Sequence, residues 1–168
     1  MGIILLLSGC IGLGFCLNQK RRENITELHK FIHMFQLLTS DISYRADPLP
    51  DACAHAGRRI QGRLGEMLQM IAERTQENRT CEFGELWKNC CDNYFLTSSL
   101  SREEQKYIRN FPSYIGFSDS LMQITVMDEF LCTLQRKCSE YESRYVEQKK
   151  ITACLSIAGG MILTILLL

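Results

Sequence analysis

The sequence predicts an all-α fold: a six-helix cytoplasmic bundle whose long first and last helices run on into N- and C-terminal membrane segments. Three observations carry this. Both ends of the chain are apolar, and every charged side chain lies between Lys20 and Lys150. Apolar residues in the middle recur every three or four positions, the spacing of one helix face. Finally, the first and last of these helices carry matching apolar seams, as two long helices packed on each other would.

The C-terminal stretch, Ile151 to Leu168, reads ITACLSIAGGMILTILLL and carries no charge. At ~1.5 Å per helical residue it reaches ~27 Å, just short of a ~30 Å hydrocarbon core. Lys149 and Lys150 stand at its mouth. An all-round apolar helix in a chain of this size would otherwise need partners to bury it. A membrane anchor including Leu155, Gly159 and Leu168 is therefore expected. At the other end Gly2 to Leu17, with Ile3 and Phe15, is equally dry but shorter. Its charges, Lys20, Arg21 and Arg22, follow the apolar run, and no A-x-A cleavage site is present. That order suits a retained anchor and not a cleaved signal peptide. Gly12 and Gly14 would permit close contact with the other span. Basic residues flank the middle on both sides, so it should face the cytoplasm with both termini across the membrane. The expected division is 1–19 membrane segment, 20–150 helical bundle and 151–168 membrane segment.

The 168 residues hold 19 Lys and Arg against 19 Asp and Glu, so no basic excess points to nucleic acid. Nine cysteines are scattered, three of them in the dry ends. An odd, dispersed set does not make a secreted disulfide framework; reduced thiols in a cytosolic domain are expected.

Within the middle, Ile25, Leu28, Ile32, Phe35, Leu38 and Ile42 form one face of the first helix, which should stop near Ala46 because Pro48 disfavours helix at Asp47. Pro50 suits the first turn of the second helix, and Asp51 complements its positive end. Leu49, Cys53, Ala56 and Ile60 give that helix a short face, which Gly57 and Gly62 weaken and end. Leu64, Met67, Leu68 and Ile71 mark a third helix. Phe83, Leu86, Trp87, Cys90 and Tyr94 mark a fourth, with Trp87 as a core anchor. Ser101 and Glu104 form a capping box for a short fifth helix with Ile108 and Phe111 inward, disturbed by Pro112. The sixth helix should start near Ser118 and carry the seam Ile124, Met127, Leu131, Leu134, Cys138, Tyr141 and Tyr145. Packed antiparallel with the first, it would form a stalk, and the short helices would form the distal part.

Chemistry-bearing motifs are missing. There is no phosphate loop, nucleophile elbow or zincin pattern. His29 and His33 are one helical turn apart, but the sequence offers no obvious third ligand, and Cys81, Cys90 and Cys91 lack zinc-motif spacing. No catalytic residue, metal or cofactor is assigned. The alternative to a scaffold is a membrane-tethered thiol or metal sensor built on His29, His33 and the cysteines.

Three patterns remain. Asp41-Ile42-Ser43-Tyr44 precedes Pro48-Leu49-Pro50-Asp51-Ala52. Ile115-Gly116-Phe117-Ser118-Asp119 is followed by Gln123. The tail runs Leu155-Ser156-Ile157-Ala158-Gly159-Gly160 and ends in Ile165-Leu166-Leu167-Leu168, and Gly14-Phe15 precedes a basic cluster. In this order they resemble the stage III sporulation protein AB family of endospore-forming bacteria. Ser156, where the family favours glycine, Arg45 and the many cysteines depart from it. The resemblance implies a component of the mother-cell membrane. There it would belong to the channel, related to type II and III secretion systems, that joins mother cell and forespore. It implies a cytoplasmic part similar to the helical domain of the type II secretion platform protein. It also implies a non-enzymatic role coupling a secretion-type ATPase, stage III sporulation protein AA, to other membrane subunits, with membrane lipid as the remaining partner and no nucleic acid or small-molecule substrate. Tyr44, Pro48, Leu49, Pro50 and Asp51, with Gly116, Asp119 and Gln123, would form one corner where long helices meet short ones. Asp119 is positioned to cap the last helix. This corner either holds the fold or meets a partner.

Overall fold

The computed structural model describes the backbone of residues 2–77, 82–115 and 120–167, and the side chains of 19–77, 82–115 and 122–147. All its regular structure is helical: α1 (Gly2–Arg45), α2 (Leu49–Arg59), α3 (Arg63–Glu77), α4 (Phe83–Phe95), α5 (Arg102–Arg109), α6 (Phe111–Ile115) and α7 (Ser120–Leu167). The six expected helices are present, and α6 is an addition. Asn110, at φ −86° and ψ 1°, leaves the helical path after α5. Pro112 then falls in the first turn of a new short helix, where its missing N–H costs nothing. Proline therefore divides the fifth leg in two instead of ending it.

Antiparallel packing of α1 and α7 is visible in two contacts. Phe35 meets Phe130 at 4.8 Å between ring centroids. Two turns back along α1, His29 reaches Glu142, three turns forward along α7, at 2.7 Å. Legs between them run alternately down and up. The turn between α2 and α3 (Gln61 and Gly62) lies against Arg22 to Lys30 of α1. The loop after α4 is tied to the same part of α1, where Asn24 donates to the Ser99 carbonyl at 3.3 Å. The short helices thus lie beside the paired long helices, not beyond them as expected from the stalk arrangement. The physical reason is the width of the apolar face on α1. Besides the predicted Leu28, Ile32, Phe35, Leu38 and Ile42, Phe31, Met34 and Leu37 are buried. One facing helix cannot cover so broad a surface. Phe31 is covered instead by Tyr94 and Phe95 of α4, with centroids at 5.4 and 6.1 Å.

The core is centred on rings. Trp87 packs on Phe111 at 5.1 Å and Phe35 packs on Phe111 at 4.6 Å, while Tyr107 stacks flat on Phe130 at 4.4 Å. This cluster joins α1, α4, α5, α6 and α7. Trp87 is fully buried, and its indole N–H donates to the Ile108 carbonyl at 3.0 Å, so its polar atom is satisfied. Phe130, buried here, lies off the expected α7 seam, whose Met127, Leu134 and Cys138 are buried while Ile124, Leu131, Tyr141 and Tyr145 are half-buried.

Glycine acts differently from expectation on α2. Gly57 does not end that helix, which continues to Arg59. A Cβ on Gly57 would stand 3.0 Å from the Gly65 carbonyl oxygen, and one on Gly65 only 2.0 Å from that of Ile60. The two glycines let α2 and α3 approach closely. Gly62, at φ 80°, makes the turn between them.

Among the described residues no helix is long and apolar enough to cross a membrane. The side chains of the two apolar ends, including Ile3, Phe15, Leu155, Gly159 and Leu168, lie outside them.

Candidate functional site

The end of the bundle away from the chain termini is shaped by the turn between α1 and α2. Helix α1 stops at Arg45, as expected, and Ala46 adopts φ 52°. That left-handed conformation closes many helices, but glycine or asparagine normally takes it, so an alanine here is strained. Pro48 then precedes α2 with an extended ψ of 149°, and its carbonyl accepts from the amides of Asp51 and Ala52 at 2.9 and 3.0 Å. Charges pin the turn from outside. The Arg45 guanidinium lies 3.4 Å from the Asp47 carboxylate, and His55 Nδ1 lies 3.1 Å from the same carboxylate. Arg45 also approaches the buried Asp41 at 4.0 Å.

The expected corner residues come together in part. Leu49 and Pro50 share a groove of about 430 Å³ with Gln123 of α7, floored by Phe83, Pro112 and Ile115 and edged by Glu82, Glu85 and Lys88. Its apolar floor with a charged rim has the anatomy of a contact surface. Tyr44 stands outside this groove and is 89 % exposed, an unusual position for a ring of that size. Pro48 and Asp51 are exposed, with Asp51 in the first turn of α2. Gly116 and Asp119 lie outside the described residues. The start of α4 and the Pro112 turn are the members of the groove that sequence reasoning missed. Their signal was weak, because Phe83 read only as part of the fourth helix's apolar face and Pro112 only as a disturbance of the fifth helix.

The opposite end is held by partly buried polar bonds around the buried Glu104. Ser101 and Glu104 make the expected capping box: the Glu104 amide donates to Ser101 Oγ at 3.4 Å, and the Ser101 amide donates to Glu104 Oε2 at 2.7 Å. The fully buried Glu104 also accepts from Asn24 Nδ2 at 3.1 Å. Glu27 accepts from the Ser99 amide and hydroxyl at 2.7 and 2.6 Å. Burial first, then the nearby Glu27, raises the Tyr94 hydroxyl to a pKa of about 12. A cleft of about 800 Å³ at this end mixes Arg22, Lys30 and Arg63 with Glu23 and Glu27, so its charge favours neither sign of ligand.

The buried thiols Cys53, Cys91 and Cys138 are chemically quiet. Burial pushes Cys53 up to about 12 and Cys138 up to about 11, the latter helped by Glu142 and Glu104. Cys91 is raised further by burial, then by its neighbours Cys90 and Asp92. Reactive cysteines need the opposite shift. Of the described cysteines, Cys138 is the one brought to the expected His29/His33 pair, with its Sγ 3.5 Å from His29 Nε2.

No curated protein matches the sequence significantly. A solved structure of a stage III sporulation protein AB superposes with a TM-score of 0.65 at 16% identity, covering 74% of this chain and 97% of that one. At that identity the likeness establishes the shared fold alone. The sequence profile described as "Stage III sporulation protein AB" matches residues 1–168, and the chain belongs to the stage III sporulation protein AB family.

Proposed function

We propose that the protein is a non-enzymatic membrane scaffold of the sporulation channel between mother cell and forespore. In this reading it couples a secretion-type ATPase on the cytoplasmic side to the channel's membrane subunits. Residues 1–19 and 151–168 anchor it in the mother-cell membrane, and residues 20–150 form the cytoplasmic bundle. One observation carries the reading. The antiparallel α1 and α7 continue as unbroken helices beyond the bundle, so both apolar ends leave from the same side, past Lys20–Arg22 and Lys149–Lys150. A body tethered by two helices at one end presents its other end to the cytoplasm. From Lys20 to Arg45 at ~1.5 Å per residue, the Tyr44 corner stands about 37 Å from the basic cluster. The corner and its groove are then the surface for a protein partner.

The quiet buried thiols favour a scaffold over a sensor built on Cys53, Cys91 or Cys138. The test is capture of the ATPase, stage III sporulation protein AA, by the detergent-solubilised full chain. Capture is expected, with loss in Tyr44→Ala at unchanged protein abundance. Absence of capture by the unaltered chain contradicts the coupling role. Undiminished capture by Tyr44→Ala moves the contact away from this corner.

A further inference from the structure

We propose that His29, Cys138 and Glu142 form a binding site for a divalent transition-metal ion of the zinc class, which would clamp α1 to α7. The donors come from both long helices. His29 Nε2, Cys138 Sγ and a Glu142 carboxylate oxygen all lie within 4.8 Å of one another. The Sγ···Nε2 separation of 3.5 Å already matches that of two tetrahedral ligands with a metal–sulfur bond of ~2.3 Å and a metal–nitrogen bond of ~2.0 Å. His29 and Glu142 are closer, at 2.7 Å, than two metal ligands would be. Tetrahedral nitrogen and oxygen donors stand ~3.3 Å apart. The Glu142 side chain is half exposed, so it is free to withdraw by that difference.

The set is chemically coherent. Imidazole, thiolate and carboxylate together suit zinc and its neighbours better than magnesium or calcium, which take oxygen alone. All three donors line a cleft of about 380 Å³ between the helices, which His33 also lines one turn away. Burial of Cys138 keeps its thiol from bulk water, while a bound dication offsets the carboxylates that otherwise disfavour the thiolate. Loss of the thiol proton on binding makes uptake weaker at low pH.

The test is titration of the full-length, detergent-solubilised chain with Co²⁺ alone, then displacement with Zn²⁺. One Co²⁺ per chain is expected, with a thiolate-to-cobalt charge-transfer band that Zn²⁺ abolishes. Cys138→Ser should lose the band, whereas Cys132→Ser, at an exposed cysteine, should keep it. Glu142→Gln leaves the core untouched. It should retain helicity while weakening binding by at least ~10-fold, on the scale of supporting ligand shells. No band in the unaltered chain overturns the proposal. So does a band that survives Cys138→Ser, or binding unaffected by Glu142→Gln.

Discussion

The two ends of the bundle are built by opposite means. At the terminus-proximal end, acids fasten the loop after α4 to α1: the buried Glu104 takes hydrogen bonds from Asn24 and Ser101, and the half-buried Glu27 takes two from Ser99. At the far end, the α1–α2 turn is held by partly exposed charges around Asp47, carries a strained Ala46 and displays Tyr44 to solvent. Polar groups sealed from water must be paired, so they fix geometry at a stiff price if one partner is removed. Exposed groups contribute little to stability. Under the proposed function, one end holds the fold and the other serves contact.

Changes that break this contrast should differ in size. The largest effect is expected between the ends, where Trp87→Ala opens the aromatic core and should lower unfolding stability by about 3–5 kcal/mol, measured by chemical denaturation. At the proximal end, Glu104→Ala leaves the Ser101 N–H unpaired and removes one of the two acceptors of the Asn24 amide, which keeps the Ser99 carbonyl. It should cost about 2–3 kcal/mol, with Glu104→Gln recovering part of the loss because glutamine also completes a capping box. A smaller change of opposite sign sharpens the comparison at the far corner. Ala46→Gly relieves the left-handed strain and should raise thermal stability by up to about 1 kcal/mol. The smallest change in stability is expected for Tyr44→Ala, within about 0.5 kcal/mol because the ring buries almost nothing, even though partner capture should be lost.

Much of this was legible in the sequence, and the misses share a cause. Pro48 stops α1 at Arg45, and Ser101 with Glu104 forms the capping box, because both signals act within a few residues. Periodicity found the α1 face but not its breadth. Phe31, Met34 and Phe130 are buried by elements distant in the chain, and no local pattern announces those. The corner was half legible: Leu49, Pro50 and Gln123 share one groove, but Phe83 and Pro112 join it only through tertiary packing. The ligands facing His29 were hidden for the same reason. Cys138 and Glu142 are one helical turn apart like His29 and His33, but only the antiparallel register sets the pairs together.

The central claim is that two apolar ends hold this bundle against the cytoplasmic side of the membrane. Cys132 is an exposed thiol on α7 and reports on the bundle directly. Intact sporulating cells are treated with a membrane-impermeant maleimide, and modification is read on the Cys132 peptide by mass. Labelling only after the membrane is permeabilised is the expected result; labelling of Cys132 in intact cells would contradict it.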